Sequence, residues 1–171
     1  MRAVATTVLT VLSLAVISAQ SAGNMTEPVR KDTMHLTVNT SISDTTVTPG
    51  KKLSLKFDVT PKRGMHVYAP GKHDYQVIAV KIDPQPWIKV APTTYPPSEI
   101  YFFKELDEKV ETYGKPFTLV QDITVLNTAA AKKALAASPI RLSGRLEYQA
   151  CDDKVCYAPA KIPVSFALTV K

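Results

Sequence analysis

The stretch KKLSLKFDVT, residues 51–60, alternates without a slip: Leu53, Leu55, Phe57 and Val59 fall on one side of an extended chain, and Lys52, Ser54, Lys56 and Asp58 on the other. Successive side chains of a strand point to opposite faces, so the pattern describes a half-buried strand with one face for a core and one for water. Immediately upstream, TPGK places Pro49 and Gly50 where a tight turn wants them. Before that turn, HLTVNTSI at 35–42 repeats the alternation. Two strands joined through a turn are therefore expected over 35–60.

Downstream the rhythm continues in MHVYA (65–69), QVIAVKID (76–83), FTLVQDITVL (117–126), IRLSGRLEYQA (140–150) and IPVSFALTV (162–170), each bounded by Pro, Gly, Asn or charged residues. Seven or more short strands at this spacing predict an all-β protein, an antiparallel β-sandwich. Only TAAAKKALAA, residues 128–137, reads as helical, and at that length it is expected to make one or two turns in a loop. Two segments break the rhythm. PQPWIKVAPTTYPP (84–97) carries five prolines, which exclude it from a central strand. SEIYFFKELDEKVETYG (98–114) gathers Ile100, Tyr101, Phe102 and Phe103 between charged flanks and reads as a loop. Such an aromatic cluster either joins the core or covers something.

The chain has 171 residues and a formal charge of +6 with the histidines neutral. Its N-terminus, MRAVATTVLTVLSLAVISA, has one basic residue, then an apolar run, then small residues up to Ala22. That order reads as a secretory signal over residues 1–22, cleaved near 19–22; an uncleaved anchor is the alternative, though the run is short for a span and interrupted by Thr10 and Ser13. A polar lead-in at 23–34 and one domain at 35–171 are expected to follow. No later segment is apolar enough to span a bilayer, so an exported protein without a stable membrane span, periplasmic or otherwise extracytoplasmic, is expected, in a compartment that permits disulfides. The lysines are dispersed among acids, which argues against a nucleic-acid partner.

The chain has two cysteines, in YQACDDKVCYAP at 148–159. Along a strand, Cys151 and Cys156 would sit roughly 16 Å apart, and on a helix about 140° apart in direction. A disulfide needs α-carbons within about 7 Å. If the two pair, DDKV must reverse the chain, a task suited to Asp152 and Asp153. Such a short loop would contribute only about 2 kcal/mol in the chain-entropy model, against 4 to 5 for a loop of about 100 residues. A domain of about 150 residues builds its core without such help, so the spacing suits a working pair better than a staple. Cys151 precedes two acids that disfavour its thiolate, which leaves Cys156 the better attacking thiol.

YQACDDKVCYAPAKIPV, with GMHVYAPG upstream, resembles the N-terminal domain of the thiol:disulfide interchange protein DsbD family. The resemblance implies an immunoglobulin-like periplasmic domain with a redox-active pair, linked in the family to electron transfer and cytochrome c maturation. It implies that Cys156 forms the mixed disulfide with a thioredoxin-like partner and that Cys151 resolves it. Tyr148, Gln149, Tyr157 and Pro159 would flank the pair. It also implies a cap loop, matched by YFFKEL, with Tyr101 beside Phe102 or Phe103 as the shielding ring. One residue fewer separates the cysteines here than in the family's best-described members. Because the chain ends at Lys171, the partner is expected in trans, as a thioredoxin-like domain or membrane thiol-transfer protein, with oxidised exported proteins as acceptors. No cofactor and no metal are expected. The pairs Met34–His35 and Met65–His66 suggest copper, but adjacent residues of a strand face opposite ways and do not chelate one ion. Met65 is read as core, and His66 and His73 as surface or loop residues. The alternative to exchange is a structural or binding sandwich whose short disulfide is inert.

Overall fold

The computed structural model describes residues 29–104, 107–136 and 140–171, so the leader read at 1–22 lies outside the described part. Thirteen strands and one short helix are described. The first sheet contains β1 (Val29–Asp32), β2 (Leu36–Ile42), β4 (Lys52–Pro61), β10 (Phe117–Val125) and β7 (Ile88–Thr94), in the order β1-β2-β4-β10-β7 and antiparallel throughout. The second contains β3 (Thr46–Val47), β13 (Ala160–Val170), β11 (Ile140–Tyr148) and β6 (Ala79–Ile82), in that order, antiparallel except for the short parallel β3–β13 pair. A third, antiparallel sheet has the order β12 (Ala150–Cys151), β5 (His66–Tyr68), β9 (Glu108–Tyr113) and β8 (Glu99–Phe103). The helix α1 is Ala129–Leu135, with Thr128 as N-cap.

The alternation in residues 51–60 is realised along β4, where Leu53, Leu55, Phe57 and Val59 are buried and Lys52, Lys56 and Asp58 are exposed. β13 repeats it from the opposite sheet with Ile162, Val164, Phe166 and Leu168. The two apolar faces meet in one core, where Phe57 touches Phe166 edge to face at 6.4 Å. Each fully buried side chain of this size contributes about 1.5 to 3 kcal/mol. The molecule is the antiparallel sandwich that the pattern predicts, with the immunoglobulin-like character that the resemblance implies. Ahead of β4 the turn closes with the Lys51 amide donating to the Thr48 carbonyl at 3.1 Å, and Gly50 holds a φ of 84°. Pro followed by a residue of positive φ is the type II arrangement, which favours glycine at its third position.

Three expectations need adjustment. Residues 29–32, placed in the lead-in, form β1 along the edge of the first sheet. The proline-rich segment supplies β7, but at the opposite edge, where Ala91 and Pro92 pass the single Asp122 of β10 in a bulge. An edge bulge tolerates the missing donor. Buried Gln121 satisfies the bulge, donating to the Ala91 carbonyl and accepting from Thr93 Oγ1 at 2.6 Å. The aromatic segment is not a loop: β8 and β9 form a hairpin, pairing Tyr101 with Val110 and Phe103 with Glu108.

The third sheet extends the sandwich at the end where β4 finishes and β10 begins. Val67, Tyr113 and Ala150 turn one of its faces into the main core. The other face, bearing Tyr68, Val110, Phe103 and Cys151, makes a second cluster of its own.

Candidate functional site

Cys151 and Cys156 are joined by a disulfide with their α-carbons 4.1 Å apart. Their environments differ. Cys151 sits in β12, 0% exposed, paired across to His66 of β5. Cys156 stands at the exposed end of the returning chain.

Asp152 makes the reversal between them. Its Oδ1 accepts the amides of Lys154 at 2.8 Å and Val155 at 2.7 Å, its own amide donates to the Val155 carbonyl, and the Tyr157 hydroxyl donates to its Oδ2 at 2.9 Å. These donors, the Lys154 amide first, hold the Asp152 carboxyl below its ordinary pKa. Asp153 plays a different part. Exposed at the tip, it accepts a hydrogen bond from Tyr101 of β8 at 2.5 Å, which ties the hairpin to the cysteine loop.

The flanking residues divide. Gln149 braces the site, its Nε2 donating to the Tyr157 carbonyl at 3.1 Å and its Oε1 accepting from the Gln76 amide at 3.2 Å. The Tyr157 ring also lies 4.5 Å from that of His35. Tyr148 belongs to the sandwich core, 1% exposed, with its hydroxyl donating to Thr33 Oγ1 at 3.2 Å. Pro159 is exposed.

Strand alternation also divides the aromatic cluster. Tyr101 and Phe103 share the face of Tyr68 and Cys151, and Phe103, 7% exposed, packs into their cluster. Phe102 and Ile100 point to the other face, 43% and 61% exposed.

Tyr68, which sequence reasoning did not single out, reaches both sulfurs. Its hydroxyl lies 2.8 Å from Cys151 Sγ and 3.1 Å from Cys156 Sγ. A disulfide sulfur has no proton, so the phenol donates. Burial chiefly, then Tyr75 and Glu108, pushes the Tyr68 phenol well above its usual pKa, so it keeps that proton. Tyr75 stacks on it at 4.3 Å with ring planes 4° apart and donates to Glu108 at 2.7 Å. The signal was in MHVYA, because period two puts His66 and Tyr68 on one face. The same strand corrects the placement of His66, which is buried, because β5 lies between β12 and β9 and is covered on both sides. His73 sits in a loop as expected, and Met65 is half-buried.

Among the described residues, no group of three or more His, Cys, Asp or Glu stands close enough to hold a metal ion, and no helix is long and apolar enough to cross a membrane.

Residues 34–167 match the family described as thiol:disulfide interchange protein DsbD, N-terminal. A crystal structure of the N-terminal periplasmic domain of ScsB from Proteus mirabilis resembles the chain with a TM-score of 0.50 at 12% identity, over 80% of this chain and 47% of that one. At that identity the likeness shows the fold, and this chain spans about half the length of that structure. No curated protein matches the chain.

Proposed function

The chain belongs to the family of DsbD N-terminal domains, and on that premise we propose that it is an extracytoplasmic thiol:disulfide exchange domain that reacts through Cys156 with a thioredoxin-like partner. The observation that carries this is the asymmetry of the pair: Cys156 is an exposed residue, and Cys151 is buried in the aromatic cluster.

A partner thiolate reaches Cys156 Sγ. As the new sulfur–sulfur bond forms, the Cys151–Cys156 bond breaks, and Cys151 leaves with the electron pair as a thiolate. Burial disfavours that anion. Tyr68 offsets the cost, because its hydroxyl already points at Cys151 Sγ and a hydrogen bond to a charged acceptor is worth about 1.5 to 3 kcal/mol. A second partner thiolate then attacks the partner's own sulfur in the mixed disulfide and releases Cys156 as a thiolate. Two electrons have entered the domain and the partner is oxidised. The reverse sequence passes them on to an oxidised exported protein.

Tyr101 and Phe103 supply the shield in this reading. They pack from the hairpin into the cluster that holds Cys151, while Phe102 faces away.

The test is trapping. Exported Cys151→Ser is expected to accumulate mixed disulfides through Cys156 with a protein of thioredoxin fold, whereas Cys156→Ser is not. No adduct from Cys151→Ser, together with a reduction potential below about −300 mV for the native pair, would establish the alternative, an inert hairpin disulfide.

A further inference from the structure

Of the buried polar groups that the exchange chemistry does not use, His66 stands nearest the pair, across from Cys151. His66 is 4% exposed, and its Nε2 has no hydrogen-bond partner among the described residues. Tyr101 lies flat on its ring at a centroid distance of 4.4 Å with planes 24° apart, and Phe103 meets it at 5.3 Å. The Tyr101 hydroxyl reaches on to Asp153. One ring thus spans from the histidine to the loop between the cysteines, beside a cleft of about 200 Å³.

We propose that His66 is the positioning residue that seats Tyr101 beside the Cys151–Cys156 bond, and that protonation of His66 unseats the ring and opens the bond to attack. This rests on the reading of the pair as an exchange site, whose shield the histidine would control.

The closed arrangement suits a neutral imidazole. The groups facing it leave little to hold a cation. From the cysteine loop come Asp152, committed to two amides and to Tyr157, and Asp153, committed to Tyr101. From β8 comes Glu99 across the cleft, paired with Lys115. From β9 comes Thr112, from just beyond its end Gly114, from β12 Cys151, and from β5 itself Tyr68, all uncharged at neutral pH. Burial lowers the His66 pKa, and the attraction of Asp153 and then Asp152 does not make up the loss. Once Tyr101 leaves, the ring meets water and its pKa returns towards about 6.5. The open form therefore binds the proton more tightly. Opening is favoured as pH falls through that value, and the gain levels off below the lower pKa of the closed form.

The test is the rate at which a water-soluble trialkylphosphine reduces the oxidised domain, compared with that of His66→Phe, which keeps an aromatic ring but does not titrate. The phosphine becomes its oxide with oxygen from water, and the disulfide gains two electrons and two protons. Dividing the two rates at each pH removes the reagent's own titration. The wild-type to variant ratio is expected to rise several-fold from about pH 8 to about pH 5, because the open form takes up the proton more readily than the closed one. A flat or falling ratio overturns the proposal. Should His66→Phe not fold, a ring-proton titration of the wild type replaces it: Tyr101 resonances that shift with the His66 midpoint support the gate, and resonances unmoved through it overturn the gate. The phosphine needs no protein partner, so a pH-dependent ratio without mixed disulfides would keep the gate and discard the exchange reading, and trapping with a flat ratio would do the reverse.

Discussion

The sandwich core and the cystine end bury side chains in different ways. In the core, Leu36, Leu53, Leu55, Phe57, Leu119, Leu142 and Leu146 interlock from facing sheets, and they offer no polar atom that needs a partner. At the cystine end, Tyr68 stacks on Tyr75 and His66 on Tyr101, with Phe103 edge-on to the second pair, and each of the first four carries a polar tip. Aliphatic interdigitation gives cohesion that is lost as a unit. Rings with polar tips can exchange one neighbour for another, or for water, at modest cost. One chain thus keeps stability and reactivity in adjacent but separate clusters.

The comparison breaks first, if it breaks, at Phe57→Ala. Removing that ring is expected to cost about 3 to 5 kcal/mol in urea unfolding, while phosphine reduction of the folded variant proceeds at the parent's rate. A loss under about 1 kcal/mol, or a faster reduction in the folded state, would show that the two clusters are not separate.

Phe103→Ala sharpens it from the other side. The variant is expected to react with a small thiol about one to two powers of ten faster, which corresponds to roughly 1.4 to 2.8 kcal/mol of lost shielding at 1.4 kcal/mol per tenfold. Phe102→Ala is expected to stay within about twofold of the parent, because Phe102 lies on the opposite face of β8. Equal acceleration by both would mean that the hairpin alternation does not decide access.

The smallest effect concerns the bond itself. Reduction is expected to lower the unfolding free energy by about 2 kcal/mol and to leave a cooperative transition in thermal melts. A reduced chain that melts without cooperativity would make the disulfide a staple and merge the two regions.

The sandwich was legible in the sequence because its strands are long enough for period two to repeat, as β4 and β13 do. The cystine end was legible only in part. The cysteine reversal followed from spacing, and its organiser, Asp152, was one of two candidates. The β8–β9 hairpin was hidden because Ile100, Tyr101, Phe102 and Phe103 are all apolar or aromatic, so alternation leaves no mark on their composition. β5 and β12 have three and two residues, so alternation puts His66 and Tyr68 on one face of β5 without showing what that face meets. His66 and Tyr68 matter through neighbours that are distant in the chain, and a local pattern does not carry that information. The edge strand β7 was obscured by prolines that only its bulge explains.

The Asp152 turn has a kinetic consequence. Its hydrogen bonds run to amides and to a phenol, none of them to sulfur, so the hairpin keeps its shape when the disulfide opens. The Cys151 thiolate then remains poised beside Cys156 at a very high effective molarity, as a tethered nucleophile held at bonding range does. A covalent adduct at Cys156 is under constant intramolecular recapture, so its lifetime is set by this turn as well as by the partner. Loosening the turn, with Asp152→Ala, would lengthen the life of the adduct without touching either cysteine.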